Sequence, residues 1–401
     1  MGWEQWVAII ALVIAVAGLT VGLVAWRALR RRTPSFSQED PEPARGERPS
    51  GPPAVVFNPS KGTDGARLRA LVTEVAAESG LAEPLWLETT VEDPGGGQVR
   101  HALEQGASVV IAAGGDGTVR AVAEGLAGTG TPMGVLPLGT GNLLARNLDL
   151  PLTGYRDMVT TALTGRDREM DLGWLRIERP PAASEPEDDV YRGEPGRTEV
   201  APTPSDDSQA PEVRAGEVPG TELDKEHVFL VIGGMGFDAA MVGGAPDELK
   251  ARIGWVAYFV GGVRHLLGRK IHATLELGDS ERSDAFHART VLIANCGRLP
   301  GGVVLFPDAQ LDDGWLDIAA IDTRGGIIGW ADLLRKVVLQ GLGVRRDPLP
   351  YSTGTIEFRR AHTLTIRTEE PEHVQVDGDL LGEASVVHAR VQHGGLVVRT
   401  P

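Results

Sequence analysis

Val109-Val110-Ile111-Ala112-Ala113-Gly114-Gly115-Asp116-Gly117-Thr118 joins an apolar run rich in β-branched residues to a glycine-rich turn, GGDGT. Val119, Val122, Ala123 and Leu126 then recur at i, i+3, i+4 and i+7, the core face of a helix. The order strand, glycine turn, helix belongs to open α/β sheets, which bind ligands at the carboxyl ends of their strands. Gly114, Gly115 and Gly117 let backbone N–H groups approach an anion, and the helix aims its positive end at the same place. Asp116 puts a carboxylate where phosphate would lie. There it suits holding a metal ion or a water, or hydrogen-bonding a hydroxyl. Read alone, the same residues also describe an ordinary tight turn with an Asp at a helix start.

The neighbouring stretches repeat the pattern. Ala54–Phe57 is a short buried-type strand that enters Asn58-Pro59-Ser60-Lys61-Gly62, a turn with a glycine and a cation. Arg67–Gly80 reads as a helix, Leu85–Thr90 as a strand, and Val99–Gln105 as a helix. Gly134–Leu138 reads as another strand and leads into Gly139-Thr140-Gly141-Asn142, with a helix over Leu143–Leu148. Alternating strands and helices predict a parallel α/β domain. Several strands that each end in a loop of Gly, Thr, Asn or Asp, all on one sheet edge, predict a site there.

The totals set bounds on the rest. The length of 401 residues suggests about two domains. The single cysteine, Cys296, follows an apolar run and reads as a buried small hydrophobe; one cysteine allows no internal disulfide. The nine histidines show no ligand-like spacing. A net charge of −16 argues against nucleic acid as a partner. Between Pro180 and Glu226 there are 13 acidic and 4 basic residues, so this Pro-rich stretch is expected to be a disordered acidic insertion.

Trp6–Trp26 is uncharged over about 20 residues, enough to span a bilayer as one helix. Trp3, Trp6 and Trp26 flank it, and Arg27, Arg30, Arg31 and Arg32 follow at once. The positive-inside rule puts the N-terminus outside and the remainder in the cytoplasm, on the cytoplasmic membrane. The absence of a basic n-region and of a small-residue cleavage site disfavours a signal peptide. Residues 1–32 are thus expected to be a transmembrane anchor with a basic flank. Residues 33–53 are a polar flexible linker, 54–165 the α/β domain and 166–401 a second domain.

The second domain reads as strands: Met170–Glu178, Val228–Ile232, Ile271–Leu277, Ala288–Ala294, Leu316–Ile321, Thr355–Phe358, Thr363–Ile366, His373–Val376, Val386–Arg390 and Leu396–Arg399. Many strands with few helices predict an antiparallel sandwich. Two apolar helices interrupt it, Glu248–Leu267 and Ile327–Leu342, as core or as walls of a lipid groove. Three further motifs carry chemistry or else form plain turns. Gly233-Gly234-Met235-Gly236-Phe237-Asp238 follows a strand. Pro307–Asp317 is a turn dense in carboxylates that suits a hard cation. Val374-Gln375-Val376-Asp377-Gly378-Asp379 ends a strand in two acids around a glycine.

Taken in order, NPSKG at Asn58–Gly62, Thr90, GGDGT at Gly114–Thr118, PLGTGN at Pro137–Asn142, GGMGFD, LDDGWLDI at Leu311–Ile318 and VDGD at Val376–Asp379 form one set. This set resembles the diacylglycerol kinase catalytic-domain family, which includes bacterial lipid kinases and sphingosine kinases. GGDGT alone is shared with NAD kinases and phosphofructokinases; the whole set is more specific. The resemblance implies two domains with ATP between them. ATP would be held by Asn58, Pro59, Ser60, Lys61, Gly62, Thr90, Gly114, Gly115, Asp116, Gly117, Thr118, Val119, Thr140 and Asn142. It implies a Mg²⁺ site at Gln310, Asp313 and Trp315, with only Asp313 offering a side-chain carboxylate and the other two expected to use backbone carbonyls. It implies a general base at Asp379, where family members often carry Glu, with Asp377 as the other candidate. Lys61 stands where many relatives have a small residue.

The expected function is a membrane-anchored, ATP-dependent lipid kinase acting on a lipid hydroxyl in the membrane, most simply converting diacylglycerol to phosphatidic acid. The alternatives are another acceptor (a sphingoid base, a polyprenol or NAD) or an inactive lipid- or nucleotide-binding protein. A homo-oligomer is compatible with all of these readings.

Overall fold

The computed structural model describes residues 51–178, 225–236, 270–278, 283–298, 304–323 and 354–401. The Trp6–Trp26 run, nearly all of the acidic insertion, the two apolar helices expected at Glu248–Leu267 and Ile327–Leu342, and Phe237–Asp238 lie outside the described residues. Among the described residues no helix is long and apolar enough to cross a membrane.

The first domain is built on four parallel strands: β1 (Ala54–Phe57), β2 (Leu85–Glu88), β3 (Val110–Gly114) and β4 (Met133–Pro137). β1, β3 and β4 are buried along their whole length, which is why they read as continuous apolar runs without alternation. Helices cover both faces. α1 (Gly65–Glu78) and α5 (Tyr155–Thr164) pack Leu68, Val72, Val159 and Leu163 against Val55, Ile111 and Leu136. α2 (Gly96–Glu104) and α3 (Asp116–Leu126) pack Val99, Val122 and Leu126 against Val56, Val110 and Ala112. A short α4 (Leu143–Asn147) follows β4. The expected α/β alternation is present; α5 is an additional helix that carried no motif in the sequence.

The strands lie in the order β2-β1-β3-β4. The chain leaves β1 toward β2 and then returns to the other side of β1 for β3. That reversal opens a crevice beyond the carboxyl ends of β1 and β3, the place where doubly wound sheets bind ligands. Asn58 and Gly115 stand on its two sides.

The second domain is antiparallel. Its strands are β5 (Arg166–Glu178), β6 (Glu226–Phe229), β7 (Ile232–Gly236), β8 (Ile271–Leu277), β9 (Ser283–Ala288), β10 (Thr290–Ala294), β11 (Leu316–Thr323), β12 (Gly354–Ala361), β13 (Thr363–Val376) and β14 (Asp379–Thr400). β14 pairs with β5 and β13, and β13 also pairs with β7 and β8. Leu175, Ile177, Met235, Ile293, Ile366 and Val387 share the interior between these strands. β14 also joins the first domain's sheet, through Val398 beside Met133 of β4.

Several expected strands differ in extent. The single strand expected at Val228–Ile232 is two, because Leu230 and Val231 turn their N–H groups to the Asp377 carboxylate instead of a ladder. Ala288–Ala294 is split at Arg289, whose N–H goes to Ile321 O at 2.7 Å. Conversely, Thr363–Ile366 and His373–Val376 are one strand, with a register shift between Arg367 and Glu372. Val386–Arg390 and Leu396–Arg399 are likewise continuous, shifted between Gln392 and Leu396. Bulges let a strand run through polar or glycine-rich residues that break the apolar pattern.

Candidate active site

The loops after β1, β3 and β4 meet at the crevice. Asn58 caps a 3₁₀ turn over Pro59–Lys61, its Oδ1 accepting the Ser60 N–H at 3.0 Å and the Ser60 hydroxyl at 2.7 Å. Its Nδ2 crosses to Thr118 Oγ1 at 3.1 Å, tying this loop to the first turn of α3. Gly62 at φ 66° turns the chain back, and the Lys61 amine lies over Gly115, 3.4 Å from where a Cβ there would stand. Gly139 packs directly on Gly115: a Cβ on Gly139 would sit 2.7 Å from Gly115 Cα. The two glycine loops are therefore in backbone contact.

Asp116 binds these loops together. Its Oδ2 accepts the Asn142 N–H at 2.9 Å and its Oδ1 the Leu143 N–H at 2.6 Å. The carboxylate thus caps the start of α4, and burial raises its pKa against the pull of those two N–H groups. Asn142, at φ 49°, returns its Oδ1 to the Gly139 N–H at 3.0 Å and its Nδ2 to Gly139 O at 2.8 Å. Thr140 is exposed at the tip of this loop. Val119 is a core residue of α3, 5% exposed. Thr90 closes its own turn with Asp93, one residue past Thr89, whose N–H pairs with Phe57 O at 2.9 Å. It therefore lies at the same strand edge as Asn58.

The second domain contributes the Asp377-Gly378 hairpin between β13 and β14. Positive φ at Asp377 (47°) and Gly378 (92°) makes it the turn that matches the twist of paired strands. The two acids go to different places. Asp377 accepts three backbone N–H groups: Leu230 at 2.7 Å, Val231 at 2.9 Å and Ile232 at 2.9 Å. Burial pushes its carboxyl up, opposed by these donors and by the charge of Arg120. Asp379 is exposed and forms an ion pair with Arg120 of α3. Its Oδ2 lies 3.9 Å from where a Cβ on Gly117 would stand. One acid anchors the hairpin and the other stands at the positive end of α3.

The acidic turn lies elsewhere. Gly128, just past the end of α3, donates to Gly395 O at 2.8 Å, and the adjacent His393 and Gly394 lead to the turn. There the fully buried Asp171 accepts the N–H groups of Gly314 at 2.6 Å and Gly394 at 2.8 Å, and His393 Nδ1–H at 2.8 Å. So Gln310, Asp313 and Trp315 sit by the opposite end of α3 from Asp116. Asp313 Oδ2 pairs with Arg360, and its Oδ1 accepts the Trp315 N–H at 3.1 Å. The Trp315 ring stacks on His362 at 3.7 Å. No group of three His, Cys, Asp or Glu side chains suited to a metal occurs among the described residues. The Arg360 guanidinium takes Asp313, the one side-chain carboxylate of the three, so a cation there would have to displace it and draw on the backbone carbonyls of Gln310 and Trp315.

Arg120, Asp171, Asn295 and Arg360 are the residues that motif reading missed. Asn295 Nδ2 bridges Asp171 O at 2.8 Å and Leu230 O at 3.1 Å beneath the Asp377 anchor. No sequence pattern marks them, since their partners lie far along the chain, 47 positions from Arg360 to Asp313 and 259 from Arg120 to Asp379.

Comparison with known proteins finds relatives of both domains. Residues 52–175 match the diacylglycerol kinase catalytic domain, and residues 232–399 match the YegS C-terminal NAD kinase beta sandwich-like domain. The chain thus carries a diacylglycerol kinase catalytic domain followed by a YegS-type C-terminal domain. These are domains of the ATP-dependent lipid kinase family. A Pseudomonas aeruginosa relative named "Probable lipid kinase YegS-like" is 28% identical over 82% of this chain and 88% of its own length. An uncharacterized Synechocystis protein is 25% identical over 72% of this chain, which spans only 55% of that relative. In fold, the chain is similar to a crystal structure titled as a putative diacylglycerol kinase from Bacillus anthracis. The TM-score is 0.61 with 17% identity, covering 89% of this chain and 98% of that one.

Proposed function

We propose that this chain transfers the γ-phosphate of MgATP to a membrane lipid hydroxyl, with diacylglycerol the simplest acceptor. The observation that carries this reading is the position of Asp379, an exposed carboxylate from the second domain standing at the N-terminus of α3. The Gly114–Gly117 loop and Thr140–Gly141 supply N–H groups for the phosphates, and Lys61 adds a cation beside Gly115. The acceptor oxygen attacks the γ-phosphorus, its proton passes to Asp379, and the bond from the γ-phosphorus to the β–γ bridging oxygen breaks to release ADP. Asp116 serves this chemistry by fixing the Gly139–Asn142 loop.

The Trp6–Trp26 run and its arginines support a single membrane anchor with the catalytic domains in the cytoplasm. An anchor holds the site at the surface where a lipid hydroxyl is exposed.

The test is transfer of γ-labelled phosphate from ATP to lipids extracted from the host membrane, comparing intact protein with Asp379→Asn. A labelled lipid that disappears in the variant supports the reading, and chromatography identifies the acceptor. Absence of any labelled lipid from folded, ATP-binding protein overturns it. Deleting residues 1–32 should reduce transfer to bilayer lipid more than to detergent-dispersed lipid; equal loss removes the anchor from the account.

A further inference from the structure

Arg120 follows GGDGTV directly, yet its partner is Asp379, 259 positions along the chain. The pair is one-sided. The Arg120 side chain is only 18% exposed, whereas Asp379 is 57% exposed. A long cation is thus held down on the α3 surface and a short acid is left open to a substrate. Arg120 lies three residues after Gly117 and four after Asp116, so it shares their face of the helix. The hairpin carrying Asp379 is anchored at Asp377, but that anchor fixes backbone and leaves the Asp379 carboxylate free to rotate. The Arg120 contact is what sets its direction.

We propose that Arg120 is the positioning residue for the base: it holds the Asp379 carboxylate over the first turn of α3, facing the acceptor hydroxyl. This rests on the kinase reading and deepens it. The pair also joins the two domains, because α3 belongs to the first and β14 to the second. Exposed ion pairs contribute little to stability, so this contact matters through geometry. Misplacing a reacting group by about 1 Å costs on the order of 10²-fold in rate.

The experiment uses the full chain with Arg120→Ala, Arg120→Lys, Asp379→Asn and the double variant Arg120→Ala/Asp379→Asn. Thermal melts and ATP affinity are measured alongside kcat and both KM values. Arg120→Ala should lower kcat by roughly 10- to 100-fold while leaving ATP affinity, KM for ATP and the melting temperature near wild type. Arg120→Lys should recover part of the loss. Adding Arg120→Ala to Asp379→Asn should cost nothing further, because the residue acts only through that carboxylate. A raised KM for ATP with unchanged kcat, or fully additive losses in the double variant, would overturn the positioning role while leaving the kinase reading intact. A wild-type chain that phosphorylates no lipid overturns both.

Discussion

Asp377→Asn separates the two acids of the hairpin more cleanly than any other substitution. Asp377 Oδ1 serves Val231 and Ile232, and Oδ2 serves Leu230. An asparagine keeps one carbonyl oxygen, enough for the Val231 and Ile232 pair, and turns an amide N–H₂ toward the Leu230 N–H. Leu230 is 2% exposed, so water does not replace the lost acceptor. Orphaning a buried donor costs about 1–3 kcal/mol. Part of that is offset, because burial disfavours the Asp377 charge and the amide carries none. The net cost is on the order of 1–2 kcal/mol, which lowers the melting temperature of a domain this size by roughly 2–8 °C. Asp379→Asn behaves oppositely. It removes an exposed ion pair worth ~0–1 kcal/mol but also the proton acceptor, so kcat should fall by about 10²–10⁴-fold. The assay pairs thermal melts with initial rates of phosphate transfer well below either transition. Asp377→Asn should melt early and turn over near wild type; Asp379→Asn should melt normally and be nearly inactive. An Asp377→Asn protein with unchanged melting and no turnover would refute the reasoning and make Asp377 the base.

Three other outcomes are expected. Gly139→Ala places a Cβ 2.7 Å from Gly115 Cα and 3.1 Å from Asn142 Oδ1, where backbone cannot yield cheaply. KM for ATP should rise about tenfold or more as the loops part, and an unchanged KM would remove these loops from the ATP site. Asp116→Ala frees the Asn142 and Leu143 N–H groups, so hydrogen exchange over residues 139–147 should accelerate along with loss of transfer, and Asp116→Asn should fall between; unaltered exchange would contradict the capping role. Burial raises Asp317 from 3.8 to about 6, with Arg360 opposing and Asp313 and Asp308 adding to the rise. The folded state therefore holds that proton more tightly than the unfolded chain. Its stabilising contribution, about 3 kcal/mol at most, is fully present below pH 3.8 and is lost as pH rises through about 6. Asp317→Asn should reduce the slope of melting temperature against pH over that window, and an unaltered slope would exclude Asp317 as its source.

The first domain was legible because its local signals agree. Strands buried on both faces read as unbroken apolar runs, glycine loops mark where they end, and α3 repeats its core residues at helical spacing. Ala54–Phe57, Val110–Gly114 and Ile271–Leu277 were found nearly residue for residue. Long strands and bulges are not: β13 and β14 pass through Glu369–Glu372 and His393–Gly395, where composition suggests a break, and only pairing partners keep the strand extended.

For the site, local sequence establishes which chemical groups exist and at which loop each sits: the glycine turns, the Asn58 and Lys61 turn, and the pair of acids around Gly378. Side-chain type and local φ/ψ preference are properties of a few adjacent residues, so a motif carries them. What each carboxylate touches was decided only by tertiary structure. Asp116 caps α4, Asp377 is consumed by Leu230–Ile232, Asp313 is taken by Arg360, and Asp379 alone of these four is left exposed, beside Arg120. Those assignments depend on strands and helices far apart in sequence arriving at one place, and a carboxylate's role follows from the donors around it.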